Sequence, residues 1–124
     1  MITLIATTLL FQSLYLDLPA GSHRLEADYQ NVTCPSGPIG IEWVLHDKTR
    51  VDCLTDTHAI EHDFAKKWPE ALGQSLHYAR LTGKKPGIVL ILQKESDIRY
   101  YYRLMNVLVH NNIKIDVALI KAYE

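Results

Sequence analysis

Cysteine is scarce in this chain: Cys34 and Cys53 are the only two in 124 residues. Two cysteines cannot supply a zinc-finger ligand set. They leave two alternatives: one disulfide, stabilising by about 3 kcal/mol if the protein is exported, or two separate thiols in the cytosol. An excess of charge is also missing. Lys and Arg number 13 against 14 Asp and Glu, so the chain as a whole lacks the basic surplus that usually accompanies nucleic-acid binding. Any cationic surface has to be local, with Lys48/Arg50, Lys66/Lys67 and Lys84/Lys85 as candidates. No repeat and no low-complexity run is visible. What is present is ordinary globular material, 48% hydrophobic and 22% charged, of a length that suits one domain.

The first 18 residues are largely apolar and contain no Lys or Arg. They run into Pro19, Ala20 and Gly21, small residues of the kind found at a signal cleavage site. Residues 1–21 therefore read either as a signal peptide or as an apolar segment of the fold, with the domain proper in residues 22–124. The stretch is too short and too interrupted for a good spanning helix, and no membrane association is expected of the mature form. Localisation follows the same fork: periplasmic or secreted if residues 1–20 are a signal, otherwise cytoplasmic.

Further along, a short helix is expected around His23–Asn31, ended by the breakers Asn31, Pro35, Gly37 and Pro38. Ile39–Leu45, Arg50–Leu54 and Ala59–Ala65 read as three evenly spaced strands, the first two joined by a tight turn at His46–Thr49. A helix follows, with Pro69 at its start, a stripe of Trp68, Leu72, Leu76 and Ala79, and Gly83 and Pro86 at its end. Ile88–Leu92 is too short and too uniformly apolar for a helix, and reads as a strand buried on both faces at the sheet centre. A second helix is expected from Ser96 as its cap, with a core stripe of Ile98, Tyr101, Tyr102, Met105, Leu108 and Val109. Alternation at Ile113, Ile115, Val117 and Leu119 gives a last strand. The order is α-β-β-β-α-β-α-β, an α/β domain with a mixed sheet and helices on both faces.

Alternate residues of a strand share a face. Glu61 and Asp63 therefore lie together on the third of those strands, and hairpin pairing through the Thr55–His58 turn brings Asp52 beside one of them. Three carboxylates at one end of a sheet repel each other and are costly to bury. A hard divalent cation such as Mg²⁺ or Mn²⁺ removes that cost and can activate water at a phosphodiester. Lys66 and Lys67 follow directly and are placed to neutralise phosphate. Gln74 and Tyr78 share a helix face with Glu70, distinct from the Trp68/Leu72/Leu76 stripe.

An early acid (Glu26), an acid on the second strand (Asp52), an acid-x-acid pair on the third (Glu61, Asp63) and a helix carrying Gln74-x-x-x-Tyr78 together resemble the PD-(D/E)xK nuclease superfamily, in particular its RecB-like branch. The stretch Arg50–Leu92 also looks like small bacterial, often exported, proteins. The resemblance implies a restriction-endonuclease-like αβββαβ core, Mg²⁺ or Mn²⁺ as cofactor and DNA or RNA as substrate. It implies Glu26, Asp52, Glu61, Asp63, Lys66, Lys67 and Gln74 as catalytic residues and Asp52, Glu61 and Asp63 as metal ligands. Two positions depart from the pattern: Val51 stands where the family has proline, and Asp63 where it has lysine, so Lys66 or Lys67 would take the lysine's role. The other class of function is a domain that keeps this fold without catalysis and serves in binding or structure.

Two further patterns carry less. His58-x-x-Glu61-His62 matches an inverted zinc-protease motif, which needs a helix to align both histidines; here the alternation is that of a strand. Of Tyr100, Tyr101 and Tyr102, two are expected in the core stripe.

Overall fold

The computed structural model describes residues 2–8, 11–17, 34 and 40–123. Its strands are β1 (Ile2–Thr8), β2 (Phe11–Asp17), β3 (Gly40–Val44), β4 (Arg50–Leu54), β5 (His58–Phe64), β6 (Lys85–Leu92) and β7 (Asp116–Lys121); its helices are α1 (Trp68–Thr82) and α2 (Ile98–His110). The expected helix around 23–31 and the candidate Glu26 lie outside the described residues.

The strands form one mixed sheet in the order β1-β2-β7-β6-β5-β4-β3. β3, β4 and β5 run antiparallel as a meander, and β5, β6 and β7 are parallel through the two helical crossovers. The apolar strand β6 occupies the centre, as its sequence requires, with Ile88 to Leu92 all buried. Within the stretch read above as a signal segment or as part of the fold, β1 and β2 pair antiparallel and β2 adds parallel to β7.

Both described helices cover the same face. Ala65, Ile88, Leu90, Leu92, Val117 and Leu119 of the sheet side pack with Ala71 of α1 and Tyr101, Leu104 and Leu108 of α2. A neighbouring cluster joins Tyr78 of α1 to Leu45, Val51, Leu54 and Ala59. The opposite face carries Val89, Ile91 and Ile120 against Ile60, Phe64, Ala118 and Ala122.

Local chemistry accounts for the boundaries. In the β3–β4 turn the Leu45 N–H bonds Thr49 O and the Lys48 N–H bonds Leu45 O, with Lys48 at φ 71° in the left-handed region. Asp47 accepts from both the hydroxyl and the N–H of Thr49, which holds its carboxyl down at about 2, and it also reaches His77 Nε2 of α1 at 2.9 Å. Gly83 ends α1 in the left-handed conformation, donating to Ala79 O.

The helix faces differ from the sequence expectation. In α1 the fully buried positions are Ala71, Ser75 and Tyr78, while Trp68 and Leu72 are half-buried and Leu76 is 38% exposed. In α2 they are Tyr101, Leu104 and Leu108, whereas Tyr102 and Val109 point outward. Periodicity found the apolar half of each helix but not its centre, because apolar residues extend onto the flanks. Ser96 makes no capping hydrogen bond. A 3-10 turn at Glu95–Asp97 precedes α2, and Asp97 is buried to accept the Gln93 N–H at 2.9 Å.

Two ties cross the sheet. Cys34 and Cys53 form a disulfide, which fastens the segment before β3 to β4. At the other end of the parallel strands His58 Nε2 meets Asp116 Oδ2, bridging β5 to β7 across Gly87 of β6. A Cβ at Gly87 would stand 3.2 Å from Ile60 Cγ1, a tight contact, and 3.6 Å from His58 Cδ2, an ordinary one, so a larger side chain there crowds both the strand and the bridge.

Reducing the disulfide is expected to lower unfolding free energy by about 3 kcal/mol, the chain-entropy value for such a loop, read as the shift in urea midpoint between oxidised and reduced protein. Gly87→Val should destabilise by about 1–3 kcal/mol through overpacking; an unchanged midpoint would show that the neighbours yield freely.

Candidate active site

β5 carries the acids because its alternation places Glu61 and Asp63 on the helix-covered face, flanked along the strand by Ala59 and Ala65. Ala59 packs with Tyr78 and Ala65 belongs with Ala71, so the helix running back over the strand meets it at both ends. Glu61 and Asp63 lie between these contacts, 6% and 4% exposed. Over this span α1 offers the small buried residues Ala71 and Ser75, and the Ser75 hydroxyl donates back to Leu72 O at 3.0 Å. Small side chains on the helix leave the carboxylates room beneath it.

The third acid arrives from β4. The ladder pairs Leu54 with Ala59 and Cys53 with Ile60; in that register Asp52 stands across from Glu61. One step further, a continuing antiparallel ladder would send the His62 N–H to a β4 carbonyl. It bonds Asp52 Oδ2 instead, at 2.8 Å. The half-buried Asp52 carboxylate thus takes the place of a backbone acceptor where the two strands part, and charge assistance makes that a strong bond.

His62 points to the opposite face and is 1% exposed. Burial alone pushes its imidazole down to about 4, so it is neutral at physiological pH. Its position on a strand also disposes of the inverted zinc-protease pattern: His58 and His62 lie on a strand, and His58 is committed to Thr57 Oγ1 at 2.7 Å and to Asp116.

Lys66 and Lys67 occupy a 3-10 turn, Ala65–Lys67, immediately after β5, and both are exposed. Gln74 is exposed on α1, whereas Tyr78, four residues on, is buried in the apolar cluster with Leu54 and Ala59. The two members of the Gln-x-x-x-Tyr element therefore face different surroundings. The structure thus brings Asp52, Glu61 and Asp63 to one region of the sheet, puts the lysines at its end, and leaves Gln74 on the surface. Among the described residues no group of three or more His, Cys, Asp or Glu is arranged to hold a metal ion, and no helix is long and apolar enough to cross a membrane.

Sequence reasoning passed over Arg99 and Arg103 of α2, which flank Tyr100. The Arg99 guanidinium lies 4.7 Å and that of Arg103 5.4 Å from the Tyr100 ring. A signal was there to find: residues 98–115 contain no Asp or Glu. Comparison with family models, with curated proteins and with solved structures finds no match to this chain.

The buried His62 makes stability pH-dependent. Its folded value lies below the ordinary 6.5, so the unfolded chain binds the proton first, and stability present above pH 6.5 is lost as pH falls toward 4. The loss assigned to this group is about 3 kcal/mol. Urea titrations at pH 7 and pH 4 should show His62→Gln losing less stability than wild type by that order; equal losses would remove His62 as the cause.

Proposed function

We propose that the chain is a metal-dependent phosphodiesterase of the PD-(D/E)xK type, with a restriction-endonuclease-like core, acting on DNA or RNA. The observation that carries the reading is the pair Glu61 and Asp63, buried side by side on one face of β5 with Asp52 in register across from Glu61. Burying two carboxylates on one strand face is unfavourable unless charge or hydrogen bonds compensate, and their hard oxygen donors suit Mg²⁺ or Mn²⁺. In this reading Asp52, Glu61 and the backbone carbonyl of His62 would hold the cation. The cation, when bound, lowers the pKa of water and takes up charge on the phosphate. Asp63 serves as a further ligand or as the base that accepts the water's proton. Lys66 or Lys67 would draw the phosphate to the end of β5; Gln74, exposed on α1, would have to turn inward to orient the water. Hydrolysis forms one P–O bond from that water and breaks another, with a proton delivered to the departing oxygen.

A second reading, the same fold without catalysis, serving in binding or structure outside the cytosol, is favoured by a specific observation. Asp52 spends an oxygen on the His62 N–H, a structural duty that competes with metal ligation. The disulfide fits an oxidising compartment in either case. Export with removal of residues 1–21 would strip β1 and β2 and leave β7 as an edge.

The readings separate in a cleavage assay on single-stranded DNA, duplex DNA and RNA with Mg²⁺ or Mn²⁺. Asp63→Asn and Glu61→Gln preserve shape, and each should slow cleavage by at least about a hundredfold. Absence of cleavage by folded wild-type protein on all three substrates would overturn the first reading and favour the second.

A further inference from the structure

The outward side of α2 has a composition unlike the rest of the molecule. Arg99, Arg103, Asn106 and His110 recur at four-, three- and four-residue steps, which places them on one face of the helix. All four are exposed. No carboxylate lies within the helix: exposed Glu95 and buried Asp97 precede it in the 3-10 turn, and Asp116 follows it at the start of β7. In a chain of net charge −1, a 13-residue helix without a single acid is a local segregation of positive charge.

Aromatic rings accompany the cations. Tyr100 is held by the two guanidiniums, and Arg99 Nη2 donates to its hydroxyl at 2.9 Å, an arrangement that fixes both the ring and the charge. Tyr102 is 59% exposed, its ring propped against buried Tyr101 at 5.5 Å between centroids. Core packing therefore claims Tyr101 wholly and Tyr100 in part, and leaves Tyr102 exposed beside the arginines. The ridge begins next to the proposed active site, since Tyr101 and Ala65 share one apolar cluster and Lys66 and Lys67 follow Ala65 directly.

Guanidinium groups pair with phosphate in bidentate fashion. An exposed ring offers any base a stacking face, worth roughly a tenfold change in affinity per base or more. Cations set one helical turn apart beside an exposed ring are what an unpaired strand presents partners for: phosphates along the backbone and a base free to stack. We infer that the outer face of α2 is a binding ridge for single-stranded nucleic acid, with Arg99 and Arg103 on successive phosphates and Tyr102 stacking a base. The inference deepens the nuclease reading by naming the strand state of its substrate, and it requires binding without hydrolysis.

The test is fluorescence anisotropy of a labelled oligothymidine of about twenty nucleotides in low salt with EDTA, so that cleavage plays no part. Wild type should bind, and Arg99→Glu/Arg103→Glu should weaken binding at least about tenfold. It should also flatten the slope of log affinity against log salt by about 1.4, two phosphate contacts at roughly 0.7 each. Tyr102→Ala should lose about tenfold, and Arg99→Lys/Arg103→Lys should bind more tightly than the charge reversal. Circular dichroism checks that each variant is folded. No binding by wild type, equal binding by the charge reversal, tighter binding to duplex of the same length, or a preference for phosphatidylserine vesicles over the oligonucleotide would each overturn the ridge. Binding with no cleavage in the separate assay would leave the ridge standing and remove the enzyme. Cleavage with ridge variants unaffected would do the reverse.

Discussion

Two carboxylates two residues apart on one strand face cannot be put beneath a helix without compensation, and the surroundings of β5 are organised by that constraint. Glu61 and Asp63 are buried where α1 presents Ala71 and Ser75. Large side chains at those helix positions would compete with the acids for the same space. The strand therefore packs apolar at both ends, through Ala59 and Ala65, and polar in the middle. Asp52 acts on the same stretch from the neighbouring strand. By accepting the His62 N–H it satisfies a buried donor that would otherwise go without its ladder partner, and it fixes the backbone between the two acids. One side chain thus sets the separation of β4 and β5 and the position of the peptide linking Glu61 to Asp63.

The rest of the sheet holds that strand rigid. On one side β6 pairs with β5 over its full length, from His58 with Lys85 to Phe64 with Ile91, and β6 is buried on both faces. On the other, Cys53 stands next to Asp52, and its disulfide with Cys34 immobilises β4 at the residue where the ladder ends. The His58–Asp116 bridge across Gly87 works at the opposite end of the parallel strands. It is partly exposed and so contributes little energy, but it ties β5 to β7 directly. A site on β5 is therefore braced from both neighbours, which suits a role that depends on fixed geometry.

Much of this was legible in the sequence. β4 has the bounds its alternation predicts, β5 is displaced by one residue, and the apolar run Ile88–Leu92 lies at the sheet centre as expected. Turn position and period-two alternation put Asp52 beside Glu61 or Asp63; the register of β4 against β5 selects Glu61. What stayed hidden depends on relations between elements. Tyr78 belongs to an apolar cluster and Gln74 does not, although both sit four residues apart on one helix; the sheet beneath decides that. Leu104 is buried and Val109 is not, because the axis of α2 is set by the cluster it shares with β6 and β7 and not by its own apolar count. Ser96 looked like a cap, yet the acceptor the turn needed was Asp97, which serves the Gln93 N–H.

Charge distribution links the acids to the cations. The acids of β5 are buried and the positive groups at its end are exposed, with Lys66 and Lys67 in the turn after the strand and Arg99 and Arg103 on the helix packed against it. A net charge near zero conceals this, because it sums buried and exposed groups alike. Buried carboxylates repel a polyanion only through the protein interior, whereas exposed cations meet it in solvent and can steer its approach. An anionic strand would thus encounter lysine and arginine before the buried carboxylates. Attraction outside and acids within are compatible only if something offsets the acids' charge once a phosphate is close, and a divalent cation held by Asp52, Glu61 and Asp63 would supply that offset. The same arrangement without a cation would bind a strand along α2 and hold its phosphates away from β5, which makes the occupancy of the acids the physical difference between an enzyme and a binding protein on this fold.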